Sequence, residues 1–454
     1  MSIPDLTSRS HIRLAVLLAI VFFSRLLFAC VILKISGAAS FFGGDTPAYL
    51  ELARSLLHGT FSRDGIPHIV RTLGYPLFLV PAIASPHLLL IGIFENLLMA
   101  VGSAWIIWRI VGGLLPGSRA SEWAVLLYCF EPVGFLCSVQ LWSESLFCAL
   151  LLVFIWMVLR FFRETSYATL LLAAVALGCA THVRPVTLYL GLWLVPVFLL
   201  FPRRRPLVNR GLRTITFLVV FALTLAPWVL RNSKVASYRG FSAISENSMY
   251  FYSSAAVLAK LDHKSFAQEQ EEMGFWDPQR YLQAHPEQKA WSPAQISQYM
   301  AVESRRIISQ HLPSYLFIHA RGFLIFLFDT DATVILKAVH LYPESGGLLA
   351  RTMDEGLLRG AMWLLRQYPI VGMAFFVLGI QLLLYYLLAL LGLRHLPVAV
   401  GCFFGSLAMY FLLVSGGPVA CARLREPVML LVCISAGVGL AKWRSARAPV
   451  PAPI

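Results

Sequence analysis

Charge is scarce in this chain: Asp, Glu, Lys and Arg together make up 13% of its 454 residues, whereas 58% are hydrophobic. A soluble domain carries about a quarter of its residues as charges, so a water-facing globule is excluded. Strand-length alternation of apolar and polar residues is also missing, which excludes a membrane β-barrel. The apolar runs are instead long enough for helices, about 20 residues each, to cross a hydrocarbon core about 30 Å thick. No CxxC pair occurs among the eight cysteines. Cys30, Cys129, Cys137, Cys148, Cys179, Cys402 and Cys433 lie inside apolar runs and Cys421 near the end of one, so neither a zinc site nor a disulfide framework is expected. There is no internal repeat, and no low-complexity tract besides the terminal APVPAPI. What is abundant is arginine in short loops, and this accounts for the net charge of +14 without a nucleic-acid partner.

Apolar runs fall at about 14–33, 87–111, 122–139, 141–159, 167–182, 186–201, 213–230, 370–392, 396–414 and 427–441, with 314–328 interrupted by His319 and Arg321. The first run has the length of a retained span, not of a cleaved leader. Arg9 and Arg13, Arg160 to Arg163, Arg203 to Arg213 and Lys442 to Arg447 are expected to face the cytoplasm. Counting crossings then puts residues 35–75, Trp142 to Glu144, His182 to Pro185 and everything from Arg231 onward outside. The tail returns to the cytoplasm only if 314–367 makes no net crossing or if the span count is off by one. Hydropathy collapses between Asn232 and Pro313, which reads as an external insertion, and GLLRGAMWLLRQ further on reads as an interfacial amphipathic helix. The expected division is 1–234, a transmembrane catalytic module with external loop 35–75; 235–367, an extracytoplasmic segment; and 368–454, the last spans.

In that first loop, GGDTPAYLELARSLLHG predicts a helix lying along the membrane surface. Thr46 and Pro47 open it as a hydroxyl cap and a first-turn proline, and Gly59 stops it. Asp45 precedes it, either as a simple cap or as a reactive carboxylate. Further polar clusters share the outer face: RTLGYPLF with Arg71, LWSESLF with Glu144, THVRPV with Arg184, APWVLRN with Arg231, and CARLREPV with Arg423 and Arg425. Carboxylates among arginines on one face suit an anionic substrate.

The order and spacing of these motifs, from about residue 40 to 430, resemble the membrane glycosyltransferases of the GT-C fold. The nearest are bacterial relatives of the dolichyl-phosphate-mannose:protein mannosyltransferases and of the lipid A aminoarabinose transferases. The resemblance implies an all-α polytopic membrane protein with a GT-C-like fold. About 10–13 transmembrane helices, an interfacial helix in the first external loop and a small extracytoplasmic insertion would make it up. It implies an inverting transfer of a sugar from a polyprenyl-phosphate donor to lipid A, another glycan or a protein outside the cytoplasm, at a bacterial inner membrane. Asp45 then matches the base, and Glu144 a second acidic position that assists it or orients the acceptor. Arg71 matches the cation for the donor phosphate, Arg184, Arg231, Arg423 and Arg425 match further basic positions, and Tyr49 and Tyr75 line the substrate. No cofactor is expected; His58, His68 and His182 lack the spacing of a metal site.

Each of these residues also has a plain structural reading. Glu144 opens an apolar run where a helix dipole favours an acid, and Arg71, Arg231, Arg423 and Arg425 lie where snorkelling cations anchor span ends. Trp142, Trp228, Tyr75 and Tyr250 suit an interfacial belt, and Arg25, mid-span, is expected to be structural with Glu95 or Glu131 as partner. The rival functions are a flippase or transporter of lipid-linked sugars, disfavoured by the absence of matching halves, and a non-catalytic binding partner in envelope glycan assembly. Without a Walker A or a GxGxxG strand–helix unit, a nucleotide-sugar enzyme is not expected.

Overall fold

A computed structural model describes residues 4–201, 206–342 and 356–447. Part of the basic loop 203–213, part of the segment 331–367 and the proline-rich end therefore lie outside the described residues. Among the described residues, apart from a short hairpin pairing Ser62 with Pro67 and Arg63 with Ile66, the regular structure is helical. The principal helices are α1 (Pro4–Ser36), α2 (Thr46–Leu57), α3 (Leu88–Leu114), α4 (Ala120–Cys129), α5 (Pro132–Cys137), α6 (Glu144–Glu164), α7 (Tyr167–Val183), α8 (Leu207–Ala236), α9 (Pro293–Gln310), α10 (Leu312–Phe328), α11 (Leu357–Gln367), α12 (Pro369–Leu393), α13 (Val398–Ser415) and α14 (Ala422–Arg447).

Among the described residues, α1, α3, α6, α8, α12, α13 and α14 are the seven continuous helices long and apolar enough to cross a membrane; the bent pair α9–α10 brings the number to eight if counted as one span. The chain is a multi-pass helical membrane protein. Two of the expected spans are broken. The run 122–139 stops at Cys129 and restarts at Pro132. Proline has no N–H to donate and pushes the preceding residue out of helical geometry, and Glu131 is accordingly extended (φ −73°, ψ 116°). The run 186–201 divides into a 3-10 turn at Pro185–Thr187 and short helices Leu190–Trp193 and Val195–Leu200, with Pro185 and Pro196 at two of the starts.

α14 runs through the centre of the bundle, with every residue from Val428 to Val438 buried, and it packs against helices from both halves of the chain. Close backbone approach makes this possible: a Cβ on Gly392 of α12 would lie 1.8 Å from the Ser435 carbonyl oxygen, and one on Gly439 would lie 2.1 Å from that of Leu388. Small residues at such contacts supply the dispersion energy that holds helices together where no hydrophobic effect acts between them. α1 and α12 keep wide apolar faces exposed, as lipid-facing helices do.

The two ends of the bundle differ. At one end Arg13 (start of α1) pairs with Glu122 at 2.8 Å, Arg119 with the same carboxylate at 2.7 Å, and Arg444 (end of α14) lies 4.4 Å from the ring centre of Trp123. The start of α1 and the end of α14 therefore share this basic end. At the opposite end Ser36, closing α1, donates a 2.7 Å hydrogen bond to the Ala338 carbonyl. Arg25 is fully buried; its donors reach the Val21 and Tyr128 carbonyls at 3.4 Å, and the rings of Tyr128 and Phe135 lie 5.2 and 5.0 Å away. These carbonyls and rings, with Cys129 Sγ at 3.9 Å, are its contacts, and among the described residues neither Glu95 nor Glu131 pairs with it.

Candidate active site

Opposite the basic end, five loop or helix-end residues meet. Asp45 occupies the N-cap position of α2, but its side chain makes no hydrogen bond to that helix. Thr46, expected as the hydroxyl cap, is instead the first helical residue, and its hydroxyl donates to the carbonyls of Gly43 and Leu141, both at 2.9 Å. That bond ties the first loop to the segment preceding Glu144. It also leaves the Asp45 carboxylate free to face the arginines.

One carboxylate oxygen of Asp45 accepts from Arg71 Nη2 at 2.6 Å, and the other lies 3.5 Å from Arg423 Nη2. Through Nε the same Arg423 guanidinium donates to Glu144 Oε1, and Arg184 Nη1 donates to that same oxygen. The order in space is therefore Arg71, Asp45, Arg423, Glu144, Arg184, an alternating chain of three cations and two anions. The two carboxylates sit in different surroundings. Glu144 is 2% exposed, whereas Asp45 is 33% exposed and reachable from solvent. Glu144, the first residue of α6, fixes the guanidinium groups of Arg184 and Arg423; Asp45 meets Arg423 and Arg71 from the open side.

Aromatic rings complete the cluster. The Arg423 guanidinium carbon lies 4.4 Å from the ring centre of Trp142, Arg71 5.5 Å from Tyr49 and Arg184 5.9 Å from Phe147. Such faces attract cations and keep their planar forks in place. Trp142, read from sequence as an interfacial residue, is thus a platform for Arg423; its position two residues before Glu144 was the available signal. Tyr49 and Tyr75, expected to line the substrate, are 5% and 0% exposed and pack edge-to-face at 4.9 Å beneath the cluster. They support it and form no wall of an opening. A narrow cleft of about 20 Å³ runs behind Glu144, with Arg184 and Arg423 on its polar side and Phe147, Phe411 and Pro427 on its apolar side.

Two of the expected cations lie elsewhere. Arg231 donates to the carbonyls of His68 at 2.8 Å and Phe61 at 2.6 Å, holding the hairpin loop against the end of α8. It reaches Arg71 only indirectly: His68 Nε2 accepts the Arg71 backbone N–H at 2.9 Å. Burial first, then the charges of Arg71, Arg63 and Arg231, push the His68 pKa down to about 4, so it is neutral at pH 7 and keeps its acceptor nitrogen. Arg425 is 1% exposed and donates to the Phe326 and Asp329 carbonyls, both at 2.7 Å. An α-helix turns 100° per residue, so Arg423 and Arg425 point about 200° apart and cannot both face the acidic pair. Glu51, on the polar face of α2, pairs with Arg63 at 2.9 Å, away from the cluster. On the cap formed by residues 237–310, the Tyr252 hydroxyl pKa is raised by burial and then by the charge of Asp45; no sequence motif marked it. Among the described residues no group of three or more His, Cys, Asp or Glu side chains is arranged to hold a metal ion.

A family model described as dolichyl-phosphate-mannose-protein mannosyltransferase matches residues 77–230. Over that stretch the chain is similar to this family. The matched segment contains Glu144 and Arg184 and ends one residue before Arg231. No curated protein sequence matches the chain. Among solved structures, the archaeal oligosaccharyltransferase AglB from Archaeoglobus fulgidus, in complex with an inhibitory peptide and a dolichol-phosphate, aligns with 95% of this chain at 13% identity and a TM-score of 0.45. The chain spans about half of AglB, 52% of its length. ArnT from Cupriavidus metallidurans, bound to undecaprenyl phosphate, aligns with 98% of this chain and 82% of its own, at 14% identity and a TM-score of 0.40.

Proposed function

We propose that the cluster is the active site of a glycosyltransferase that moves a sugar from a polyprenyl-phosphate carrier to an acceptor hydroxyl. The reading rests on one observation above all: a half-open carboxylate, Asp45, held between Arg71 and Arg423, with a second carboxylate buried behind it. Guanidinium groups with unused N–H donors bind phosphate oxygens in charge-assisted, often bidentate pairs. The phosphate of the donor sits against Arg71, Arg184 and Arg423. The acceptor oxygen attacks the anomeric carbon, the carbon–oxygen bond to phosphate breaks, and its electron pair leaves with the phosphate. The acceptor's proton passes to Asp45. The arginines stabilise the charge growing on the leaving group, and a single displacement inverts the anomeric centre. Glu144 acts on the arginines: sharing one oxygen between Arg184 and Arg423 keeps two like charges side by side.

Arg13, Arg119 and Arg444 gather at the opposite end, the bias that marks a cytoplasmic face, and this supports our reading of a site facing outward from a bacterial plasma membrane. The family likeness over residues 77–230 supports the donor class, and the acceptor is a glycan, lipid A or a protein. The test is incubation of purified protein with a panel of radiolabelled polyprenyl-phosphate sugars. Consumption of one donor with release of polyprenyl phosphate is expected. Movement of intact donor across vesicles without cleavage would overturn the reading in favour of a flippase.

A further inference from the structure

We propose that Asp329 and Arg425 are positioning residues, a clasp through which the bent arm of the cap sets Arg423 between Asp45 and Glu144 and so tunes the site's affinity for lipid phosphate. The inference rests on the function proposed above. Helix α9 of the cap bends 97° into α10, which ends at Phe328. The next residue, Asp329, uses both carboxylate oxygens. Oδ2 accepts the backbone N–H of Ala422 at 2.8 Å, the residue immediately before Arg423, and Oδ1 accepts the N–H of Asp331 at 3.0 Å. From one turn into α14, Arg425 reaches back to the carbonyls of Phe326, in the last turn of α10, and of Asp329, just beyond it. An anion thus meets the positive end of α14 and a cation the negative end of α10, so both helix dipoles favour the join. Farther up α10, Gly322 fits against the turn before α14, where a Cβ would lie 2.0 Å from the Gly416 oxygen and 2.3 Å from that of Gly417.

The first turn of α14 is therefore fixed to the cap arm, and Arg423 with it. Its contact to Asp45 is already long, at 3.5 Å. Site geometry has to be held within about 0.5 Å, so a small movement of α10 makes or breaks that contact. Arg425 and Asp329 touch neither carboxylate of the site and act through Arg423 alone.

The experiment uses the full-length protein in nanodiscs with undecaprenyl phosphate as probe, reading the dissociation constant and melting temperature of wild type, Asp329→Asn, Arg425→Met and Gly322→Ala. Asp329→Asn keeps size and one acceptor oxygen and is the variant least prone to misfold. Ile110→Ala, in the buried part of α3, serves as a control for generic destabilisation. Asp329→Asn is expected to raise the dissociation constant about tenfold, and Gly322→Ala to do the same, whereas Ile110→Ala lowers the melting temperature and leaves binding unchanged. Wild-type affinity in Asp329→Asn, or equal weakening by Ile110→Ala, overturns the clasp while leaving the proposed function intact. Failure of the wild type to bind the probe overturns the proposed function and the clasp with it.

Discussion

Replacing Asp45 by Asn separates the roles this residue can play, because the structure gives each a different magnitude. As a helix cap it contributes close to nothing, since its side chain makes no hydrogen bond to α2. As an ion-pair partner it meets Arg71 at 2.6 Å and Arg423 at 3.5 Å, but with 33% of its side chain exposed. Pairs this open to solvent contribute up to about 1 kcal/mol, so the melting temperature should fall by no more than about 2–4 °C. As a general base it is worth about 10²- to 10⁴-fold in rate, or about 2.7 kcal/mol and upward on the barrier. Asn cannot take the proton, so the expected loss of turnover exceeds anything the stability change explains. Donor binding should move the other way. Asp45 competes with phosphate for the Arg71 and Arg423 N–H groups, and its neutralisation should leave donor affinity equal or higher. The assay is turnover with saturating labelled donor, run beside donor binding and a melting curve. Turnover within about threefold of wild type would refute the assignment and return Asp45 to an electrostatic partner; so would a loss of turnover that merely tracks a large drop in melting temperature.

The other expectations concern the surroundings of Asp45. Arg71→Ala should weaken lipid-phosphate binding by about ten- to a hundredfold, the loss of a charge-assisted pair worth about 1.5–3 kcal/mol, and Arg71→Lys should recover only part of it; normal binding by both variants would make Arg71 a membrane anchor. Glu144→Gln removes a buried anion shared by two cations and should cost about 3–5 kcal/mol of stability together with donor affinity, whereas selective loss of turnover with a normal melting curve would make Glu144 the base. His68 has a folded pKa of about 4 against an ordinary 6.5, so its contribution is complete above pH 6.5 and is lost as pH falls toward 4; melting curves of His68→Gln should be flatter over that window, and an unchanged pH profile would contradict the neutral-acceptor role. In a cysteine-depleted background, Thr60→Cys should react with an impermeant reagent added outside and Arg119→Cys only after permeabilisation, and the reverse pattern would invert the orientation.

Much of this protein is legible as a string. Apolar runs of span length, a cluster of arginines at alternate loop positions and a proline–glycine-bounded helix after Asp45 follow from local rules: the bilayer requires internally satisfied backbone, and cations prefer one side of it. The breaks at Pro132 and within 185–200 were also written locally, as prolines inside apolar runs, although hydropathy averaged over a window hides them. The spacing of Arg423 and Arg425 already said that only one of them can face a given site. What local rules cannot supply is which one. Arg423 and Asp45 are separated by 378 positions, and their meeting depends on α14 being threaded through the middle of helices from the other half of the chain. Likewise, only packing buries Glu144 while leaving Asp45 half open, turns Arg231 onto the carbonyls of the hairpin loop and puts Tyr49 and Tyr75 beneath the cluster. Helices, the ends at which their polar residues emerge and the residue types available for phosphate chemistry depend on neighbours a few positions away, and so can be read along the string. The pairing of charges and their exposure to solvent come from packing, because electrostatic strength depends on distance and burial, and both are properties of the assembled bundle.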